Sequence, residues 1–331
     1  MQAPPDRILL SRTDSIGDVM LTLPMAGLIK QRFPGTRVIF LGRNYTAPVL
    51  HLCRHVDEVV TLDDLHNSGE AGAVQVLRAA RADAVVHVFP QREVARWCRS
   101  ARIPLRIGTS HRIWHWTTCN VRVPFSRRRS ELHEAQLNIK LLAPFGITDI
   151  PDLPALAALT GLRAPEPDAE LRRVLDPTKR KVLLHPLSKG SAVEWGLDHF
   201  AELMRALDPA RYQVIITGTV HEADRYRKEL PWNLPHVWDA GGRLSLDRLV
   251  ALIGASDALV AASTGPLHIA AALGRRAIGL YATDRPLHPG RWGPIGADAH
   301  ALVADGAHAG PLAQVRAIPV ERVVSLLDAM P

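Results

Sequence analysis

Cysteine is scarce and poorly placed for chemistry. The three residues, Cys53, Cys98 and Cys119, are far apart and odd in number. That argues against a disulfide framework or a Cys-x-x-Cys metal site and fits a reducing compartment. No apolar run approaches the ~20 residues that span a bilayer. The longest, Leu249 to Ala262, is interrupted by Asp257. The start of the chain, Met1-Gln2-Ala3-Pro4-Pro5-Asp6, lacks a signal-peptide pattern. The expectation is a soluble, cytoplasmic protein that touches the inner membrane, if at all, peripherally. Also missing is Gly-x-Gly-x-x-Gly after a strand, which disfavours a nicotinamide-dependent dehydrogenase. There is no short-period repeat and no low-complexity block.

What is present suits an ordinary globular chain that binds anions. Its 331 residues are enough for two domains, and 47% are hydrophobic against 22% charged. Lys plus Arg number 40 against 33 for Asp plus Glu, giving +7. Arginine supplies most of the positive charge, and its fork suits phosphate. The basic residues read as scattered, apart from Arg127-Arg128-Arg129, and no nucleic-acid motif accompanies them. Nucleotides, phosphorylated lipids or a membrane surface are better partners than nucleic acid.

Strands and helices alternate along the chain. Arg7-Ile8-Leu9-Leu10-Ser11 reads as a strand and Asp18 to Arg32 as a helix that Pro34-Gly35 stops. Strands follow at 37–41, 58–61 and 84–88, with a helix over Glu70 to Arg81. After a Pro-rich and charged section the pattern restarts with strands at 181–185, 213–217, 258–261 and 277–281. Helices are predicted over 197–207, 221–230 and 246–255, after Pro266, and over 320–329. This is the α/β pattern of parallel sheets covered on both faces. Residues 1–160 and 179–331 read as two Rossmann-like domains joined by a linker at 161–178. Ligands in such sheets sit beyond the carboxyl ends of the strands, and a cleft between facing domains is the expected active site.

Two strand-to-helix junctions carry the chemistry. Ser263-Thr264-Gly265-Pro266-Leu267-His268 follows the strand at 258 and opens a helix. Unpaired first-turn N–H groups and the helix dipole make such a junction a phosphate site, and Gly265 lets an anion approach the backbone. An ordinary helix capped by Ser263 or Thr264 is the competing reading. Near the other end, Arg12-Thr13-Asp14-Ser15-Ile16-Gly17-Asp18 offers one glycine and two acids. Asp18 is either a general base facing a cleft or a carboxylate that complements the helix dipole.

Taken together, Ser15-Ile16-Gly17-Asp18 with Leu23-Pro24 and the stretch Ser263 to Gly274 resemble glycosyltransferase family 9, the ADP-heptose:lipopolysaccharide heptosyltransferases and their relatives. Gly218 with Glu222, and Trp195 ahead of Phe200, extend the resemblance over nearly the whole chain. It implies a GT-B fold and an inverting, metal-independent transfer of heptose, or a similar sugar, from an ADP-sugar to a lipopolysaccharide core acceptor. No cofactor is implied. It places the catalytic base on Asp18, and Ser15 and Gly17 beside the acceptor. It places the nucleotide on Ser263, Thr264, Gly265, Pro266, Leu267 and His268, with Glu222 near the ribose. Lys189, in Ser188-Lys189-Gly190-Ser191, would supply positive charge, and Ser188 a phosphate contact. Arg291 is expected to line the donor site from a late loop.

Two positions depart from the family pattern. Ser263 stands where many members carry Asp, and Val193 where many carry a basic residue. On the acceptor side, Gln91, Arg92, Arg96 and Arg99, with Trp114, His115, Trp116 and Arg127-Arg128-Arg129, suit a phosphorylated sugar–lipid, because arginine pairs phosphate. A solvated basic face with packed tryptophans is the other reading. Two further functions stay open: a GT-B enzyme using another nucleotide sugar, including an epimerase-like hydrolysis, and a non-catalytic nucleotide-binding assembly protein.

Overall fold

Runs of branched apolar residues become central strands. Ile8, Leu9 and Leu10 of β1 (Arg7–Ser11) are fully buried, as are Val38 to Leu41 of β2 (Arg37–Gly42) and Ala84 to Val86 of β4 (Ala84–His87). A strand apolar on both faces belongs inside a parallel sheet covered by helices on each side. With β3 (Glu58–Thr61), β5 (Leu105–Thr109) and β6 (Val121–Val123), these strands form one parallel sheet ordered β3-β2-β1-β4-β5-β6. The register pairs Ile8 with Val38 on one side and Ala84 on the other.

The second half repeats the plan. β7 (Arg180–His185), β8 (Tyr212–Ile216), β9 (Val237–Asp239), β10 (Ala258–Ala262), β11 (Arg276–Leu280) and β12 (Ala299–Leu302) form a parallel sheet ordered β12-β11-β10-β7-β8-β9. Counted within each half, both sheets have the Rossmann order 3-2-1-4-5-6. The order reverses between β1 and β4, and again between β7 and β10, and a ligand crevice opens at such a switch point. Trp195 anchors the second core. It is fully buried, meets Phe200 edge-on at 5.2 Å, and donates Nε1–H to Ile318 O at 3.0 Å.

This computed structural model describes residues 5–127 and 130–330, and the chain divides into two units between Arg163 and Ala164. Two local expectations change. The helix predicted over 18–32 is two helices, Ile16–Met20 and Leu23–Arg32. Pro24 has no N–H to continue the first, and Thr22 turns the chain by donating N–H to Val19 O and its hydroxyl to Asp18 O. The helix predicted over 221–230 runs Val220–Tyr226. Gly161 and Arg163 hydrogen-bond Arg54 and Leu52 of the first unit. Beyond Ala164 comes a helix, Ala169–Val174, whose N-cap Asp168 and first-turn Glu170 each pair with Arg248 at 2.7 Å. In the first unit, Gly27 is required by packing, since a Cβ there would strike the carbonyl oxygen of Leu159.

Candidate active site

The first junction is built around a buried arginine. β1 ends at Ser11, and the N–H of Arg12 still pairs with Leu41 O at 3.0 Å. The chain then turns through Thr13 and Asp14 to Ser15, the N-cap of helix Ile16–Met20. Ser15 Oγ accepts from Asp18 N and donates to Asp18 Oδ2 at 2.6 Å. Asp18 therefore sits in a helix's first turn, where the dipole favours a carboxylate. Its other oxygen is gripped by Arg12 Nη2.

Arg12 has only 4% of its side chain exposed, while Asp18 keeps 19%. Its fork is fully subscribed. Nε donates to Asp14 Oδ1 at 2.7 Å, Nη1 to Glu134 Oε1 at 3.1 Å, and Nη2 to Asp18. Burial works against the guanidinium charge, but Asp18, Asp14 and Glu134 outweigh it and hold Arg12 above the ordinary arginine value. Burial pushes Asp14 up to about 6 against the pull of Arg12, and the neighbouring Asp18 charge adds to the rise.

The network closes on itself. Glu134, 1% exposed, also accepts from Arg127 Nε at 3.0 Å. Arg127 Nη2 donates to Asn138 Oδ1 at 3.0 Å, and Asn138 Nδ2 donates to Leu21 O and approaches Thr22 Oγ1. The Thr22 hydroxyl donates to Asp18 O at 2.8 Å. The loop after β1, the helix break at 21–22 and helix Glu134–Ile139 are thus tied into one ring of hydrogen bonds. Sequence reading named Ser15, Gly17 and Asp18 but gave no role to Arg12 or Glu134. The available signal was a lone arginine directly after a strand of buried apolar residues.

The acceptor-side residues separate. Arg92 opens helix Arg92–Ser100 after β4 and is exposed. Arg96 faces Glu70 at 3.5 Å, and Arg99 donates to Thr117 O at 2.6 Å. His115 is fully buried, with Nδ1 2.9 Å from Thr109 O, and burial lowers its pKa. It is a packing residue and not a surface contact for a sugar. Trp116 is exposed beneath Arg122 at 4.5 Å. Arg127 is turned inward onto Glu134, while Arg128 and Arg129 lie outside the described residues.

The second junction has no comparable acid. Thr264 is the extended N-cap of helix Gly265–Ala272, with Pro266 in the first turn. The Thr264 hydroxyl makes no cap bond, is buried, and has no hydrogen-bond partner among the described residues. The N–H groups of Gly265 and Leu267 are first-turn donors that a helix cannot satisfy itself. His268 is buried, and its N–H points to Thr264 O at 3.4 Å. Ser263 is half-buried beside Tyr281, whose phenol burial pushes up while a hydrogen bond with Ser263 pulls the other way.

Across the switch point, β7 ends in the loop His185 to Ser191. Ser188 is turned into that loop. Its N–H donates to Glu194 Oε1 at 2.9 Å, and its hydroxyl lies 2.9 Å from Ala192 O and 3.1 Å from Glu194. The Ser188 side chain is therefore committed internally. Lys189 and Gly190 both adopt positive φ, +50° and +78°. Both are exposed, and an L-residue such as Lys189 is strained there. Glu222 is buried. Its Oε2 accepts from Thr219 N and Oγ1, both at 2.7 Å, closing a capping box. Arg291 is 9% exposed on helix Pro289–Trp292, and Val193 packs on the apolar core.

Each unit is thus Rossmann-like, with a held carboxylate at the switch point of the first and a helix N-terminus at that of the second. The chain matches glycosyltransferase family 9 (heptosyltransferase) over residues 73–315 and belongs to that family. It is 26% identical to lipopolysaccharide heptosyltransferase 3 of Escherichia coli K12 over 294 residues, 81% of this chain and 80% of that one. Among solved structures, the family 9 glycosyl transferase of Veillonella parvula superposes with a TM-score of 0.80 at 20% identity, covering 100% of this chain and 98% of that one. E. coli heptosyltransferase WaaC with ADP gives 0.73 at 18% identity, covering 98% and 100%. The fold is GT-B.

Proposed function

We propose that this enzyme transfers a heptose, or a similar sugar, from an ADP-sugar to a lipopolysaccharide core acceptor, with inversion and without a metal ion. Asp18 is the general base. The observation that carries the reading is the Asp18 carboxylate, fixed by Arg12 and Ser15 at a strand-order switch point and still open to solvent at its rim. Its oxygen takes the proton from an acceptor hydroxyl as that oxygen attacks the anomeric carbon. The bond to the diphosphate breaks on the opposite face, and ADP departs with the electron pair.

The departing diphosphate needs donors aimed at its developing charge. Gly265 N–H, Leu267 N–H and the unpartnered Thr264 hydroxyl supply them in this reading, with Lys189 adding a positive charge from its strained turn. Pro266 presets the helix start, and His268 packs behind it. The remaining carboxylate oxygen of Glu222 accepts from the ribose. Buried Arg291 holds the late loop in shape. Ser15, Gly17 and Arg92 face the acceptor. The acceptor's lipid keeps the enzyme peripheral to the inner membrane. The ADP bound by E. coli WaaC supports the donor, and the likeness to lipopolysaccharide heptosyltransferase 3 supports the acceptor.

Ser263, in the place where many members carry Asp, is the feature that supports a different nucleotide sugar as the second reading. A thermal-shift panel of ADP, UDP, GDP and NAD decides the nucleotide, because a ligand of the native state alone raises stability. ADP is expected to stabilise most, and stabilisation by UDP without ADP would overturn the ADP-sugar assignment. Transfer from ADP-heptose to core oligosaccharide should proceed in excess chelator. Activity that vanishes with chelator and returns with Mg²⁺ refutes the metal-independent mechanism.

A further inference from the structure

The basic residues, read above as scattered, concentrate in one stretch. From Val94 to Ser130 the chain has nine arginines and no Asp or Glu, leaving 31 basic and 33 acidic residues elsewhere. The whole positive excess of the protein resides there. The middle of this stretch is the connection Ser110 to Thr118 after β5. His111, Arg112, Ile113, Trp116 and Thr117 are exposed, Ile113 by 84% and Trp116 by 62%. Arg122 lies over the Trp116 ring at 4.5 Å, and Arg112 is 5.6 Å from the Trp114 ring. Arg99 reaches the same turn through Thr117 O.

We infer that this connection docks on an anionic bilayer surface, with Ile113 and Trp116 entering the interface and Arg99, Arg112 and Arg122 against lipid phosphates. An isoleucine held out in water beside an exposed indole is costly unless something apolar covers it. Tryptophan favours the headgroup boundary, where its ring is buried and its N–H stays wet. Arginines without neighbouring acids suit the negative potential of an anionic leaflet. A nucleic acid would meet the charge but not the isoleucine.

Topology adds a second argument. The connection leaves the carboxyl end of β5, the sheet edge from which the Arg12–Asp18 turn leaves β1. Only β4 separates the two strands, so the docking turn and the base share one rim about 10 Å apart in the sheet direction. Docking there brings a lipid-linked acceptor to the carboxylate. The functional meaning of this surface rests on the proposed glycolipid acceptor, but its binding test does not.

The test is co-flotation of the full chain with phosphatidylcholine vesicles, with and without one-third phosphatidylglycerol and with no saccharide present. Binding should require the anionic lipid and weaken as salt rises from 50 to about 300 mM. Ile113→Glu should lower vesicle affinity at least tenfold, and Arg112→Ala and Arg122→Ala about fivefold each. Circular dichroism and the ADP thermal shift should not change in Ile113→Glu. Wild-type protein that stays unbound at low salt overturns the inference. So does Ile113→Glu floating like wild type, or tighter binding to duplex DNA than to vesicles. Failure of ADP to stabilise would count against the transferase reading and leave the surface standing.

Discussion

The two units carry the same strand order, yet their switch points hold opposite chemistry. In the first, a buried arginine gathers three carboxylates, and one of them, Asp18, reaches the rim. In the second, the corresponding place holds backbone donors, a bare threonine hydroxyl and no acid in the turn. The scaffold makes a crevice in both cases. The few residues after the first strand of one sheet and the fourth of the other decide whether it presents a carboxylate or backbone donors.

The sharpest way to break that contrast is Asp18→Asn. Transfer should fall by about 10²–10⁴, the usual contribution of general-base catalysis, while the ADP thermal shift stays as in wild type. Turnover within a few-fold of wild type would remove Asp18 as the base. Next is Arg12→Ala, which takes the shared cation from Asp14, Asp18 and Glu134, leaving Arg127 on Glu134 and Ser15 on Asp18. Removing one member of a buried ion pair costs about 3–5 kcal/mol, read as a fall in the urea midpoint. Arg12→Lys should recover part of the stability but not the geometry at Asp18, because an ammonium lacks the fork that reaches three carboxylates. A kcat equal to wild type in Arg12→Lys would show that fork geometry is irrelevant to the base.

Asp14 makes the comparison pH-dependent. Its folded pKa of about 6 lies above the unfolded value near 3.9, so the folded state holds the proton more tightly. The protonated form favours folding, and that advantage is fully present below about pH 4 and lost as pH rises through 6. Asp14→Asn should therefore raise stability at pH 7.5 by ~1–3 kcal/mol and change little at pH 4. An equal effect at both pH values would refute the raised pKa. The smallest expected effect is at the other switch point. Thr264→Val removes a buried hydroxyl that has no partner among the described residues, so stability should be unchanged or slightly higher. If that hydroxyl serves the diphosphate, KM for the donor should rise about five- to tenfold. Lost stability with unchanged KM would make Thr264 a structural residue only.

Much of the fold was legible because it depends on local pattern. Short buried apolar runs alternating with amphipathic stretches announced eight of the twelve described strands, while the four at 105–109, 121–123, 237–239 and 299–302 went unread; Gly and Pro marked most ends. The helix at 18–32 was misread because Pro24 suits the first turn of a new helix as well as it ends an old one. The site was half legible. Ser15, Asp18 and the 263–268 turn announced themselves by type and spacing. Ser188 and Glu222 did not reveal that their polar groups were already bonded within the chain, through Glu194 and Thr219. His115 looked like a surface ring beside two tryptophans until β5 enclosed it.

By itself, then, the sequence determined the α/β class, the two junctions, and the family to which their residues point, because hydrophobic period, turn chemistry and helix starts are read over a few neighbours. Tertiary structure alone decided what stands around Asp18. Arg12 and Glu134 lie 122 positions apart and meet at 3.1 Å. No local rule brings together charges so distant in the chain; the parallel sheet and the helix packed on it do, and burial then makes each charge depend on the others.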